Sequence, residues 1–195
     1  NIVPSPYLNG TMDEFFDLPL IPMVETTRGC PFTCTFCADA HPVKNKIYRF
    51  NPQRVREELF YIAKRVKNMD ELVLTDLNFG MYKQDVITAK IVAEIQQIYN
   101  YPILFAAAAG KNMPKRTIEI GKILKGWDRG ASIQSSDPEV LKAIRRSNIS
   151  TLAYKEVIDQ GNKLEDGKTY SEVILGLSGD TKEKHFETLR YAIDS

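Results

Sequence analysis

Between residues 20 and 195, short apolar runs alternate with stretches whose apolar side chains recur every three or four positions, and this alternation narrows the fold more than anything else in the chain. Strand-like runs fall at 20–26, 71–75, 102–107, 130–135 and 170–175. Helical patterns follow them: from Pro52 through Val55, Leu59, Ile62, Ala63 and Val66, then over 86–98, 114–125, 138–145, 152–163 and 182–193. Asn51-Pro52 supplies an N-cap and a proline at the first helical position. Ile87, Ile91, Ile95 and Ile98 read as the core face of the second helix, and Phe186, Leu189 and Ile193 as that of the last. Strand then helix, repeated about five times, means parallel strands with right-handed crossovers, in a (β/α) barrel or an open doubly wound sheet.

A chain of 195 residues with 43% apolar side chains can bury a core without staples, since a domain near this size removes roughly 70% of its unfolded surface from water. Lys plus Arg number 26 against 25 Asp plus Glu, so no bulk phosphate-neutralising surface or clear nucleic-acid face is expected. No apolar run approaches the ~18–20 residues of a membrane span, and no secretory signal opens the chain, which reads as a cytoplasmic protein. It begins at Asn1 and ends straight after an amphipathic pattern, so it reads as a piece of something longer. Residues 1–19, with Pro4, Pro6, Gly10 and Pro19 among Tyr7, Leu8, Phe15 and Phe16, form an expected lead-in from an upstream domain, and 20–195 the core.

Cys30, Cys34 and Cys37 fall within eight residues, and no other cysteine exists. An odd, tightly clustered set does not make a disulfide framework. The stretch from 27 to 51 that holds them has no sustained period, and loops that long in compact domains are usually functional. Thiolates are soft ligands for iron–sulfur clusters and zinc. Three of them would leave one iron of a 4Fe–4S cluster without a protein ligand. Zinc held by the three cysteines and His41 remains open as the alternative, in a non-catalytic module that binds a partner or carries electrons.

The run Cys30-x3-Cys34-x-Phe36-Cys37, placed after the first strand, resembles the signature of the radical S-adenosylmethionine (radical SAM) enzymes. The lead-in from Ile2 to Gly10, with Glu25 to Cys34, resembles the subgroup that carries a cobalamin-binding domain upstream. This resemblance implies a partial (β/α) barrel, TIM-barrel-like and truncated before its sixth strand, with Cys30, Cys34 and Cys37 as cluster ligands. It further implies that S-adenosylmethionine chelates the open iron and that Phe36 packs near its adenine. One electron would cleave the cofactor to methionine and a 5′-deoxyadenosyl radical that abstracts substrate hydrogen. The implied electron donor is flavodoxin- or ferredoxin-like, and methyl transfer follows if an absent domain binds cobalamin.

In barrel enzymes the site gathers at the C-terminal ends of the strands, so polar residues there carry weight. After the second strand, Asp76, Asn78 and Gly80 stand where the family binds the amino group of S-adenosylmethionine, although its usual glycine-glycine-glutamate is missing; a turn capped by Asn78 is the plain alternative. After the fourth, Gln134 and Ser135 would meet the ribose, whereas Ser136 and Asp137 read as helix caps. Arg146 would meet the cofactor carboxylate, or merely complement a helix dipole. Gly176 and Gly179 after the fifth strand would let backbone approach the adenine. Of the histidines, His41 reads as a solvated loop residue and His185 as surface, while Trp127 reads as core filling.

Overall fold

The computed structural model describes residues 3–163 and 168–195, leaving Ile2 of the lead-in outside the described residues. Its elements in chain order are β1 (Met23–Val24), β2 (Thr27–Arg28), β3 (Tyr48–Arg49), α1 (Pro52–Ala63), β4 (Glu71–Phe79), α2 (Lys83–Tyr99), β5 (Leu104–Ala109), α3 (Pro114–Ile123), β6 (Arg129–Gly130), α4 (Pro138–Ala143), α5 (Thr151–Asn162), β7 (Thr169–Tyr170) and α6 (Lys182–Asp194). β1, β4 and β5 pair in parallel in that order, with Val24 opposite Leu74 and Leu74 opposite Ala107. A parallel bridge from Phe105 to Trp127 leads on toward β6, which pairs in parallel with β7, and Gln134 bridges Val173 beyond them. Helices separate successive parallel strands, which is the α/β architecture that the alternation of periods requires.

Local chemistry sets the boundaries. Asn51 Oδ1 accepts from Gln53 N at 2.8 Å and Pro52 takes the first helical position, so α1 starts where the capping rule puts it. Leu59, Ile62, Leu72, Val92 and Phe105 then meet in one core. Phe79 packs edge-on against Phe105 and Trp127, with centroids 5.6 and 5.3 Å apart, and Trp127 Nε1 donates to Ala107 O at 3.1 Å. Tyr7 and Phe16 of the lead-in belong to the same core, and the Tyr7 hydroxyl bonds both Met23 O and Met23 N.

Two helix faces differ from the sequence reading. In α2 the buried residues include Thr88, Ala89, Ile91, Val92 and Ile95, whereas Ile87 and Ile98 are exposed. At about 100° per residue Ile87 and Ile98 fall within about 20° of each other, at one edge of the buried arc whose middle holds Ile95, Thr88 and Val92. In α6, Phe186 and Ile193 are 51% and 81% exposed and Thr188 is the buried residue. The Thr188 hydroxyl accepts from Ser136 N at 3.0 Å, and Tyr191 stacks on Tyr154 with ring centroids 5.6 Å apart. His185 is not a surface residue: only 15% of its side chain is exposed, and Nδ1 lies 3.6 Å from Asp180 Oδ2. The strand expected at 130–135 shortens to β6, with one isolated bridge from Gln134 to Val173 beyond it, and Gln134 takes φ +61°, outside the extended region.

Candidate active site

The aperiodic stretch is closed at its neck. β2 and β3 pair antiparallel, Thr27 opposite Arg49 and Arg28 opposite Tyr48, so the segment from 29 to 47 leaves and returns at one point. Gly29 makes the exit at φ +99°, where a Cβ would lie 2.2 Å from Lys46 O; only glycine fits. Cys30 N bonds Lys44 O, and Thr35 N bonds Ile144 O just past α4, each at 3.0 Å. The cysteine segment is therefore tied both to its return limb and to a helix end distant in sequence.

Asp76 anchors the root of this segment. Its carboxylate accepts from Thr26 N at 2.7 Å and from Thr26 Oγ1 at 2.5 Å. Burial pushes the carboxyl above its usual range, and the bonds from Thr26 and Thr27 pull it back. Both oxygens are thus engaged within the protein, and Asp76 supports the loop that carries the cysteines.

Cys34 is buried, Cys30 half-buried and Cys37 exposed, all as free thiols. Lys111, two residues past β5, donates to Cys34 Sγ at 3.4 Å and lies 3.8 Å from the centroid of the Phe32 ring. Arg146 bonds Asn148 Oδ1 at 2.9 Å and Ser132 O, and its guanidinium interacts with Cys34 and Cys30. Burial works against both charges and the Cys34 sulfur works for them. Soft sulfur donors under two cations suit an anionic iron–sulfur group. Among the described residues, no three His, Cys, Asp or Glu side chains gather closely enough for a single metal ion. His41 in particular accepts from Val43 N through Nδ1 at 3.3 Å, as a local cap.

Around the same end of the strands, five buried side-chain atoms lack a hydrogen-bond partner among the described residues: Thr27 Oγ1, Asn78 Nδ2, Tyr82 OH, Thr117 Oγ1 and Gln134 Oε1. Buried polar atoms in native proteins are nearly always paired, so a set of orphans at one end of a parallel sheet marks a place for a polar ligand. Asn78 and Gln134 were expected there from the sequence. Ser135 is otherwise engaged, accepting from Asp137 N at 3.2 Å and lying 3.5 Å from Thr188 Oγ1. Asp137 caps α4 through Glu139 N and Val140 N, as expected. Gly80 turns at φ +90° and gives its N–H to Asp85, while a Cβ there would meet Thr117 Oγ1 at 3.1 Å. Gly176 and Gly179 have φ +76° and +78°, and beside Gly176 a Cβ would meet open space. Phe36 is partly exposed next to Cys37.

Lys111, Thr27, Tyr82 and Thr117 are absent from the sequence reading as site residues. The strand-end rule that selects Asn78 and Gln134 also selects Lys111, which follows the third parallel strand in the run Ala109-Gly110-Lys111. Thr27 and Thr117 carry no sequence signal beyond their position.

The chain matches the Radical SAM superfamily over residues 24–192. It is 34% identical over 184 residues to the 2-(S-pantetheinyl)-carbapenam-3-carboxylate methyltransferase of Streptantibioticus cattleyicolor, covering 89% of this chain and 27% of that protein. It is 32% identical over 188 residues to the cobalamin-dependent radical SAM methyltransferase TokK of Streptomyces tokunonensis, covering 91% and 27%. The chain thus spans about a quarter of the length of these curated relatives. Its fold is similar to that of the radical S-adenosylmethionine methyltransferase TsrM from Kitasatospora setae with cobalamin and a [4Fe-4S] cluster bound (TM-score 0.68, 15% identity, 93% of this chain and 35% of that one). It is also similar to that of the cobalamin-dependent S-adenosylmethionine radical enzyme OxsB with aqua-cobalamin and S-adenosylmethionine bound (TM-score 0.66, 19% identity, 96% and 28%).

Proposed function

Because this chain belongs to the Radical SAM superfamily, we propose that Cys30, Cys34 and Cys37 hold a 4Fe–4S cluster in a cobalamin-dependent radical SAM methyltransferase. The observation that carries this reading is the placement of Cys34: a buried thiol in a loop pinned at both limbs, facing Lys111 and Arg146. When bound, the cluster supplies the single electron that cleaves S-adenosylmethionine to a radical able to take hydrogen from an unreactive carbon. Cobalamin would be held outside this chain, and a small one-electron carrier of the flavodoxin or ferredoxin type would deliver the electron.

The chain's own residues would bind and orient the nucleotide. Asn78 Nδ2 offers a buried donor and Gln134 Oε1 a buried acceptor. Gly176 presents backbone with open space beside it, Phe36 offers a ring face beside the last cysteine, and Arg146 offers a cation to the cofactor carboxylate. Ser135 and Asp76 act one step back, holding the turn after Gln134 and the root of the cysteine loop.

Anaerobic reconstitution with iron and sulfide is expected to load about four irons per chain, with an electron paramagnetic resonance signal that S-adenosylmethionine perturbs. Cys34→Ala is expected to lose the cluster while the far-ultraviolet circular dichroism is unchanged. Full iron content in that variant, or one tight zinc and no iron in the wild type, would overturn the assignment.

A further inference from the structure

We infer that Lys111 is a positioning residue whose ammonium serves as the counter-charge of the cysteine loop, holding it toward the strand ends and favouring the reduced form of the cluster. The inference deepens the cluster assignment above and rests on it. Its first support is the fixed root of the side chain. Gly110 N bonds Phe79 O at 2.8 Å, and a Cβ at Gly110 would lie 2.9 Å from Met81 Cβ and 3.1 Å from Asn78 O. The backbone that launches Lys111 is therefore packed tightly against the end of β4. From there the side chain crosses to the cysteine loop, where Nζ meets the Cys34 sulfur at 3.4 Å and the face of Phe32 at 3.8 Å. Phe32 lies between Cys30 and Cys34 in sequence, so both contacts hold the same short segment.

The second support is what Lys111 lacks. It is half-buried, and among the described residues it forms no ion pair with a carboxylate; the groups that act on it most are Cys34, Cys30 and the like-charged Arg146, with the Phe32 ring. A buried ammonium without an opposite charge is costly, and a cation over an aromatic face recovers only part of that cost. The nearest groups that can balance it are the sulfurs it faces. Thiolates bridged to a cluster supply that charge, and reduction adds one more negative charge at the same place. In that step one electron enters from an external one-electron donor, and no bond to Lys111 forms or breaks. A fixed cation and a hydrogen bond to sulfur both stabilise the reduced state, and net charge and such bonds are known levers on cluster potential.

The test is a mediated potentiometric titration of the reconstituted protein with dithionite, read by electron paramagnetic resonance, in wild type, Lys111→Met, Lys111→Gln and Lys111→Arg. The neutral variants are expected to shift the reduction equilibrium about tenfold toward the oxidised form, a midpoint lower by about 59 mV for one electron. Lys111→Arg is expected to restore most of it, which a purely space-filling role would not predict. Equal midpoints in wild type and both neutral variants at full iron content would overturn this inference alone. If the neutral variants load no iron, Lys111→Arg decides: loading restored supports the inference, and loading still absent overturns it. Iron missing from the wild type would instead sink the cluster assignment, and this inference with it.

Discussion

β4 runs for nine residues and β5 for six, whereas β6 and β7 run for two each, although all four lie in parallel pairs. The difference lies in what the backbone carbonyls bond to. Along β4 and β5 the ladder continues from Glu71 opposite Leu104 to Phe79 opposite Ala109, with one irregularity after Leu74. Past β6 the carbonyls of Ser132, Ile133 and Ser135 turn to side chains, Arg146 taking the first and Asn148 the other two at 2.8 and 2.9 Å. Gln134 keeps its backbone bonds, donating to Glu172 O at 2.8 Å and accepting from Ile174 N at 3.1 Å, yet sits at φ +61° with an unpaired buried side-chain oxygen. The early strands build the wall, and an unpaired buried polar atom stands both at its end, on Asn78, and beyond β6, on Gln134.

Core truncation separates the two regions most sharply. Phe105 is 1% exposed in the main cluster, between Phe79 and the wall of β4, so Phe105→Ala is expected to cost about 3–5 kcal/mol. Ile133 packs in a smaller cluster with Ala131, Tyr154 and Val157, so fewer buried apolar groups lose contacts when it is truncated. Ile133→Ala is accordingly expected near ~2 kcal/mol, the low end for such truncations. Urea unfolding of the two variants checks the order; equal costs would mean that the halves are packed alike.

Acid titration gives the two regions opposite signs. Asp85, in the turn after β4, accepts from Gly80 N and Tyr82 N, each at 2.8 Å, and burial nevertheless pushes its carboxyl up to about 6. The folded protein therefore holds this proton more tightly than the unfolded chain. Stability from this group rises as pH falls from about 6 to about 4 and is lost as pH rises through that window, with a ceiling of about 3 kcal/mol at 1.36 kcal/mol per unit. Asp137, which caps α4, is held below the usual range by Val140 N and, further, by Lys184. Its contribution is present at neutral pH and fades only as pH falls below the ordinary carboxylate range. Unfolding free energies of wild type and Asp85→Asn at pH 6.5 and 4.5 should show the gain on acidification shrinking in the variant by about 1–3 kcal/mol.

Sequence periodicity carried the early half well because long strands and capped helices express one rule at a time. Pro52 behind Asn51, and the apolar run that opens β4, need no tertiary context to be read. The cysteine trio was legible for the same reason, since its three sulfurs are spaced within one loop. Asp76 was legible as a strand-end polar residue, but not as a tie to Thr26, because that partner lies fifty residues away and has no periodic signal. Lys111 was hidden by its ordinariness: one of many lysines, informative only once β5 is known to end at Ala109 and Cys34 to lie opposite. The orientation of α6 was illegible because the side that faces in carries Thr188, bonded to Ser136, and Tyr191, stacked on Tyr154, rather than Phe186 and Ile193.

The smallest effect expected on stability falls on the residue most characteristic of the later half. Left-handed backbone costs a side-chain-bearing residue about 1–2 kcal/mol relative to glycine, and Gln134 bears that cost at φ +61°. Its side chain gives little back: Nε2 reaches Glu172 Oε2 only at 3.5 Å, and Oε1 is buried without a partner. Gln134→Gly should relieve the strain and remove the orphaned oxygen while loosening the unfolded chain by about 0.4–1 kcal/mol, so the net change stays within about 1 kcal/mol. Binding should not be spared. An acceptor aimed into the site is worth about 1–2 kcal/mol to a ligand that donates to it, roughly tenfold in affinity for S-adenosylmethionine. Calorimetric titration of the cofactor into reconstituted wild type and Gln134→Gly, beside their urea curves, sets the two quantities side by side. Unchanged affinity with unchanged stability would mean that the late strands present nothing, and that their brevity is only a local accident of packing.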